Sequence, residues 1–153
     1  MDFNDTPEEA AFRAEARTWL EANAEPLAPG EVAGNMGELL TPEIVAEAQA
    51  WQKKKADAGW ACITWPKELG GRGATPMENV IWNEEQSKFK LPNDIFSIGI
   101  GMCGPTLLAH GTQAQQERWI PRLLSGEDVW CQLFSEPSAG SDLAGLRTTA
   151  VKD

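Results

Sequence analysis

The sequence predicts a mainly α protein, an N-terminal helical bundle that leads into the first strands of a β-domain. Three observations carry that expectation. A threonine followed at once or three residues later by proline or an acid/amide partner recurs four times, each time ahead of an amphipathic run, and reads as a helix start. Apolar residues after those starts repeat with helical spacing. Only late in the chain does the pattern change: residues 129–134, Val-Trp-Cys-Gln-Leu-Phe, are short, aromatic and apolar, as a strand would be.

The first start is Thr6-Pro7-Glu8-Glu9, with Thr6 as N-cap, Pro7 at the first helical position and Glu9 closing a capping box. Phe12, Ala16, Trp19 and Leu20 then line one face, and Pro26, Pro29 and Gly30 end the helix, leaving residues 26–40 as a loop. Thr41-Pro42-Glu43 opens a second helix with Ile44, Ala48 and Trp51 on one face and Gly59 just past its end. Lys53, Lys54 and Lys55 suit the negative end of its dipole. Thr75-Pro76-Met77-Glu78 opens a third helix, on which Glu84 and Glu85 are expected as surface charges facing Lys88; adjacent helical residues point about 100° apart and cannot flank one substrate bond. After Leu91-Pro92, residues 95–101 form an apolar, glycine-spaced segment, suited equally to core packing and to a slim ligand chain. Pro105 opens a short helix ending at His110 and Gly111, and Thr112-Gln113-Ala114-Gln115 caps the last one, with Trp119, Ile120, Leu123 and Leu124 on its face and Pro121 inside.

Charge narrows the function. Of the net −10, residues 1–50 contribute −9 through 11 acids against Arg13 and Arg17, so the acidic excess reads as a solvated N-terminal surface. That balance argues against nucleic acid. No stretch nears the ~20 apolar residues of a membrane span, and no secretory signal is visible. Cys62, Cys103 and Cys131 are odd in number and far apart, and His110 is the single histidine; no disulfide framework and no metal site is expected, which fits the cytoplasm.

Two loops and one histidine are the candidates for chemistry. Trp65 to Gly73 contains Gly-Gly-Arg-Gly before a helix and could cradle phosphate, but it lacks the strand and turn of a nucleotide loop and is better read as structural. His110 sits at a helix end with no nucleophile beside it, which also favours a structural role. The third candidate is Ser135 to Asp142. Here Pro137 ends the expected strand, and a small polar turn with Gly140 and flanking hydroxyls could form an anion-binding concavity for a cofactor with a flat ring and a phosphate.

Three stretches together resemble the acyl-CoA dehydrogenase family over essentially the whole chain. They are Gln132-Leu133-Phe134-Ser135-Glu136-Pro137-Ser138-Ala139-Gly140-Ser141-Asp142-Leu143 with Leu146-Arg147-Thr148-Thr149-Ala150, then Gly59-Trp60 with Ile63-Thr64-Trp65-Pro66-Lys67-Glu68-Leu69-Gly70-Gly71-Arg72-Gly73-Ala74, and Ala109-His110-Gly111-Thr112-Gln113 continuing to Ile120-Pro121-Arg122-Leu123-Leu124-Ser125-Gly126. The resemblance implies residues 1–127 as the N-terminal helical domain and 128–153 as the truncated start of a middle β-domain. It implies FAD as cofactor, held by Gln132, Leu133, Phe134, Ser135, Gly140 and Ser141. It implies an acyl-CoA substrate, met by Ser141 where pyrophosphate and CoA converge and by Phe96, Ser97 and Ile100 along the acyl cavity. Glu136 and Asp142 belong to the signature, and a turn-shaping or capping role suits them, since a carboxylate beside pyrophosphate would repel it. The family's reaction is α,β-dehydrogenation of the thioester, with hydride passing to the flavin. Its catalytic base is a glutamate expected beyond residue 153, so none is assigned here and the 153 residues alone are expected to be inactive. The implied partners are an electron acceptor such as an electron-transfer flavoprotein and further copies of the full-length chain. An acyl-CoA oxidase-like flavoenzyme would share these motifs; a non-catalytic helical interaction module is the reading from a different class.

Overall fold

The computed structural model describes residues 4–31 and 40–152. Five helices form in the predicted order: α1 (Pro7–Asn23), α2 (Pro42–Asp57), α3 (Pro76–Gln86), α4 (Gly104–His110) and α5 (Gln113–Leu124). All four threonine starts act as N-caps. Thr6, Thr75 and Thr112 close full capping boxes with Glu9, Glu78 and Gln115, and the Thr41 hydroxyl accepts from the Ile44 N–H. Each cap satisfies donors that the first helical turn leaves open, so these starts are specified locally. α2 ends as expected: Gly59 takes φ +73°, which lets the Trp60 N–H turn back to Lys55 O at 2.7 Å. Of the loop expected over 26–40, residues 32–39 lie outside the described part, as do residues 1–3 and 153.

Two apolar clusters hold the helices. The first joins Phe12, Ala16 and Leu20 of α1 to Ile81 and Trp82 of α3, with Trp60, Ile63 and Phe89 between them. Trp19 and Trp51 pack against it, so four indoles meet; Trp60 and Trp82 stack with ring centroids 4.5 Å apart and planes 20° apart. The second cluster joins Ile120, Leu123 and Leu124 of α5 to Cys62 and Trp65, with Trp130 against its edge. A short antiparallel pair, β1 (Glu25–Pro26) with β2 (Phe89–Lys90), ties the end of α1 to the end of α3.

Three elements differ from expectation. Glu85 is not a surface charge. Its side chain is fully buried between α1 and α3, where its oxygens accept from Arg17 Nε at 2.9 Å and Nη2 at 3.0 Å, from Arg13 Nη1 at 3.1 Å and from Lys88 Nζ at 2.6 Å. The neighbouring Glu84 does stay exposed, paired with Arg13. The short helix at Pro105 begins earlier: residues 97 and 98 are already helical, and a π-helical turn, Gly99–Cys103, runs into α4, closed by the Gly104 N–H bonding Gly99 O. A wider turn just before proline lets the carbonyl ladder pass a residue without an N–H. Residues 129–134, expected as a strand, form no ladder; past residue 128 the only strand-type pairing among the described residues is an isolated bridge between Glu136 and Ala139, followed by a 3-10 turn at Leu143–Gly145. A strand needs a neighbour to saturate its N–H and C=O groups, and no described segment hydrogen-bonds to this one.

The glycine-rich loop is used up internally. Its Lys67–Leu69 turn is followed by Gly71 N–H to Pro66 O, Arg72 N–H to Ile63 O and Gly73 N–H to Trp65 O, all between 2.8 and 3.1 Å. The Arg72 guanidinium lies 4.0 Å over the Trp60 ring and pairs with Glu15. With amides and charge both engaged, no phosphate cradle remains, and the structural reading of this loop holds.

Candidate functional site

A large groove opens between α2, α3, the segment before the π turn and residues 129–131, with a volume of about 1250 Å³. It forms because the two apolar clusters do not meet along their whole length. Trp51 and Gln52 of α2, Trp82 of α3, Phe89 of β2 and Trp65 wall one side, and Phe96, Ser97 and Ile100 wall the other. Enclosed ligand sites usually run to ~300–1,000 Å³, so this open groove is ample for a slim apolar chain.

The groove walls are braced by hydrogen bonds rather than by the groove's contents. Gln52, nearly fully buried, donates from Nε2 to Leu124 O at 2.9 Å, and Gln49 donates to Gly126 O at 2.9 Å, stapling α2 to the end of α5. Gly126 allows this only because it has no side chain. It takes φ +74°, and a Cβ there would sit 2.9 Å from the Gln52 side chain and 3.0 Å from Phe96. Opposite, the Phe96 N–H donates to Asp94 Oδ1 at 2.9 Å and fixes the entry into the helix.

Of the expected acyl-cavity residues, Phe96, Ser97 and Ile100 all line the groove; Phe96 is buried, Ile100 half-buried and Ser97 exposed at the rim. The expected cofactor residues sit elsewhere. Val129, Trp130 and Cys131 form the end wall of the groove, and the chain then leaves it, so that Gln132, Leu133, Phe134, Ser135, Gly140 and Ser141 are exposed beyond that wall. Trp130 anchors the junction. It crosses Trp119 edge-on with centroids 5.9 Å apart, and it lies where a Cβ on Gly99 would reach it at 3.4 Å.

The turn from Glu136 to Thr148 is organised by one carboxylate. Glu136 and Ala139 exchange N–H···O bonds of 2.7 and 3.1 Å, and the Glu136 carboxylate accepts from Arg147 N at 3.0 Å, Thr148 N at 2.9 Å and the Thr148 hydroxyl. Those donors, the Thr148 hydroxyl first, hold its carboxyl below the ordinary value. Its charge is thereby turned into the loop. By contrast, among the described residues no hydrogen bond uses the backbone of 129–135, and a Cβ on Gly140 would meet nothing within 4 Å. The turn beside it is open at Gly140.

Burial pushes the Cys62 thiol up to about 12, which keeps it protonated, and His110 is exposed at the end of α4. No group of three His, Cys, Asp or Glu among the described residues could hold a metal. No described helix is long and apolar enough to cross a membrane.

Sequence reasoning missed Lys55. The three lysines at the end of α2 have separate fates: Lys53 pairs with Asp57 at 2.8 Å, Lys54 lies 5.8 Å from the Trp51 ring centroid, and Lys55 lines the groove. Its spacing of four from Trp51 and three from Gln52 places it on the face that turns inward, a signal hidden by the run of like charges.

The family model described as "Acyl-CoA dehydrogenase, N-terminal domain" matches residues 6–127. The acyl-CoA dehydrogenase IpdE1 of Mycobacterium tuberculosis is 41% identical over 145 residues, covering 93% of this chain and 37% of that protein. The acryloyl-CoA reductase (NADH) of Anaerotignum propionicum is 34% identical over 154 residues, covering 100% of this chain and 36% of that protein. The crystal structure of the ChsE4-ChsE5 complex from Mycobacterium tuberculosis superposes with a TM-score of 0.71 at 30% identity, covering all of this chain and 36% of the matched one. The chain thus spans little more than a third of the proteins it matches. With the family model matching residues 6–127 and the relatives aligning over nearly the whole chain, this chain belongs to the acyl-CoA dehydrogenase family.

Proposed function

We propose that this chain is part of an FAD-dependent enzyme that removes the α and β hydrogens of an acyl-CoA thioester. The observation that supports it best is the turn just past the groove's end wall, where the Glu136 carboxylate is drawn into its own loop by Arg147 and Thr148 and the side chains of Ser135 and Ser141 stay exposed. These residues fit FAD: amides of Gln132 to Phe134 and the Ser135 hydroxyl offer donors where a reduced flavin gathers negative charge. Ser141 and Gly140 offer a hydroxyl and an open backbone for the pyrophosphate. When bound, FAD supplies the hydride acceptor. The chain's own contribution is to bind and orient. Phe96, Ser97 and Ile100 would seat the acyl group, and the tryptophan-lined walls would keep water from it.

Residues 1–127 would then be the helical domain and 128–153 the start of the middle β-domain, with the catalytic base elsewhere in the full-length protein. A cytoplasmic location, an electron-transfer flavoprotein as acceptor and a homo-oligomeric full-length state complete the proposal; the three cysteines, all free thiols, suit a reducing compartment. One relative is named a reductase, so the direction of the reaction is to be assayed both ways.

In the full-length protein, Ser135→Ala is expected to weaken FAD binding and Ser141→Ala to weaken FAD or acyl-CoA binding. Each loss should be roughly fivefold, the worth of one net hydrogen bond. Flavin fluorescence titration measures it, with helical circular dichroism unchanged. A colourless full-length protein that binds neither ligand would sink the proposal and favour a helical interaction module.

A further inference from the structure

We infer that Lys55 recognises an acceptor oxygen on the distal part of the acyl group, so that the groove selects an oxygen-bearing acyl chain over a plain hydrocarbon one. This rests on the acyl-CoA reading above. Lys55 leaves the last turn of α2 and lines the groove together with Trp51, Cys62, Asp94 and Ile100. Among the described residues nothing lies within hydrogen-bond or ion-pair reach of its ammonium, unlike Lys53, Lys88 and Lys90, which are all paired. No enclosed side-chain nitrogen or oxygen there lacks a partner. An ammonium without one must therefore face open space, and the space beside it is the groove.

The surroundings make that ammonium costly to leave alone. Burial among groove residues lowers the Lys55 proton affinity, while the Asp94 carboxylate favours the charged form. Asp94 forms no ion pair with Lys55, and its Oδ1 accepts from the Phe96 N–H at 2.9 Å. A hydrocarbon tail pushed into the groove would strip water from the ammonium and return nothing. An acyl group with a carbonyl or carboxylate oxygen at that depth would replace the water with a charge-assisted hydrogen bond. Lys55 thus favours one class of substrate and disfavours the other, which is how a site that hydrogen-bonds its substrate discriminates best.

The test uses the full-length protein and three acyl-CoA thioesters of equal chain length, one plain, one with a distal ketone and one with a distal carboxylate. The wild type is expected to prefer at least one oxygenated thioester by about tenfold in kcat/KM, mainly through KM. Lys55→Met, which keeps the apolar stem, should lose about that factor on the oxygenated thioester and hold or improve on the plain one; Lys55→Arg should keep the preference. The ketone and carboxylate arms distinguish the two oxygen sources. If Lys55→Met lowers all three alike, or the wild type prefers the plain chain, the inference is overturned while the acyl-CoA reading stands. If no thioester is bound or oxidised, the acyl-CoA reading falls and the inference with it.

Discussion

Gly71→Ala is expected to cost at least about 3 kcal/mol of stability, the range of severe overpacking against atoms that cannot yield. A Cβ at Gly71 would lie 2.0 Å from Trp65 O and 2.7 Å from Cys62 O. Both are backbone atoms of a turn already closed by the Trp65 N–H to Cys62 O and the Gly73 N–H to Trp65 O. Nothing flexible is available to move, so the loop must open and carry Trp65 out of the α5 cluster. A domain of this size loses roughly 2–4 °C per kcal/mol, so the melting midpoint should fall by about 10 °C. Calorimetry or urea unfolding reads it directly, and a midpoint within a degree of wild type would refute the expectation.

Glu85→Gln is expected to destabilise the α1–α3 contact by about 2–3 kcal/mol near neutral pH. Removing one charge from a buried ion-pair cluster typically costs ~3–5 kcal/mol, and the lower end applies because Arg17 and Lys88 are half exposed and can turn to water. The effect should depend on pH. Arg17 first, then Lys88 and Arg13, hold the Glu85 carboxyl down to about 2 from an ordinary 4.5. The folded value lies below the unfolded one, so the stabilisation is present above pH 4.5 and is lost as pH falls from there toward 2. Wild type and variant should therefore converge in acid, where both carry a neutral side chain. Equal gaps in urea midpoint at neutral pH and near pH 3 would contradict this assignment.

The helix starts were legible because each is written within four residues: a threonine, a proline or polar residue, and a returning carboxylate or amide. The turn after Pro137 was legible for the same reason. Partners distant in sequence were not. Glu85 is bound by Arg17 from 68 residues away and Arg13 from 72, and nothing near residue 85 announces that α1 will cover it. The strand expected at 129–134 fails likewise, since strand character is local but a ladder is a property of neighbours. The groove wall at Phe96, Ser97 and Ile100 was reached through the glycine-spaced segment at 95–101. Lys55 was lost inside a run of three lysines whose shared charge suggested one shared role.

The meeting of Trp19, Trp51, Trp60 and Trp82 gives the fold an optical identity. Indoles with centroids 4.5–6.0 Å apart, two of them stacked, do not absorb or emit as independent chromophores. Their transition dipoles couple, and excitation hops among them before it is released, so one quencher at any ring darkens the set. Because Trp19 rides on α1, Trp51 on α2 and Trp82 on α3, a separation of any of these helices decouples the array. Trp51 and Trp82 also wall the groove, so two of the rings that register folding face whatever chromophore settles there.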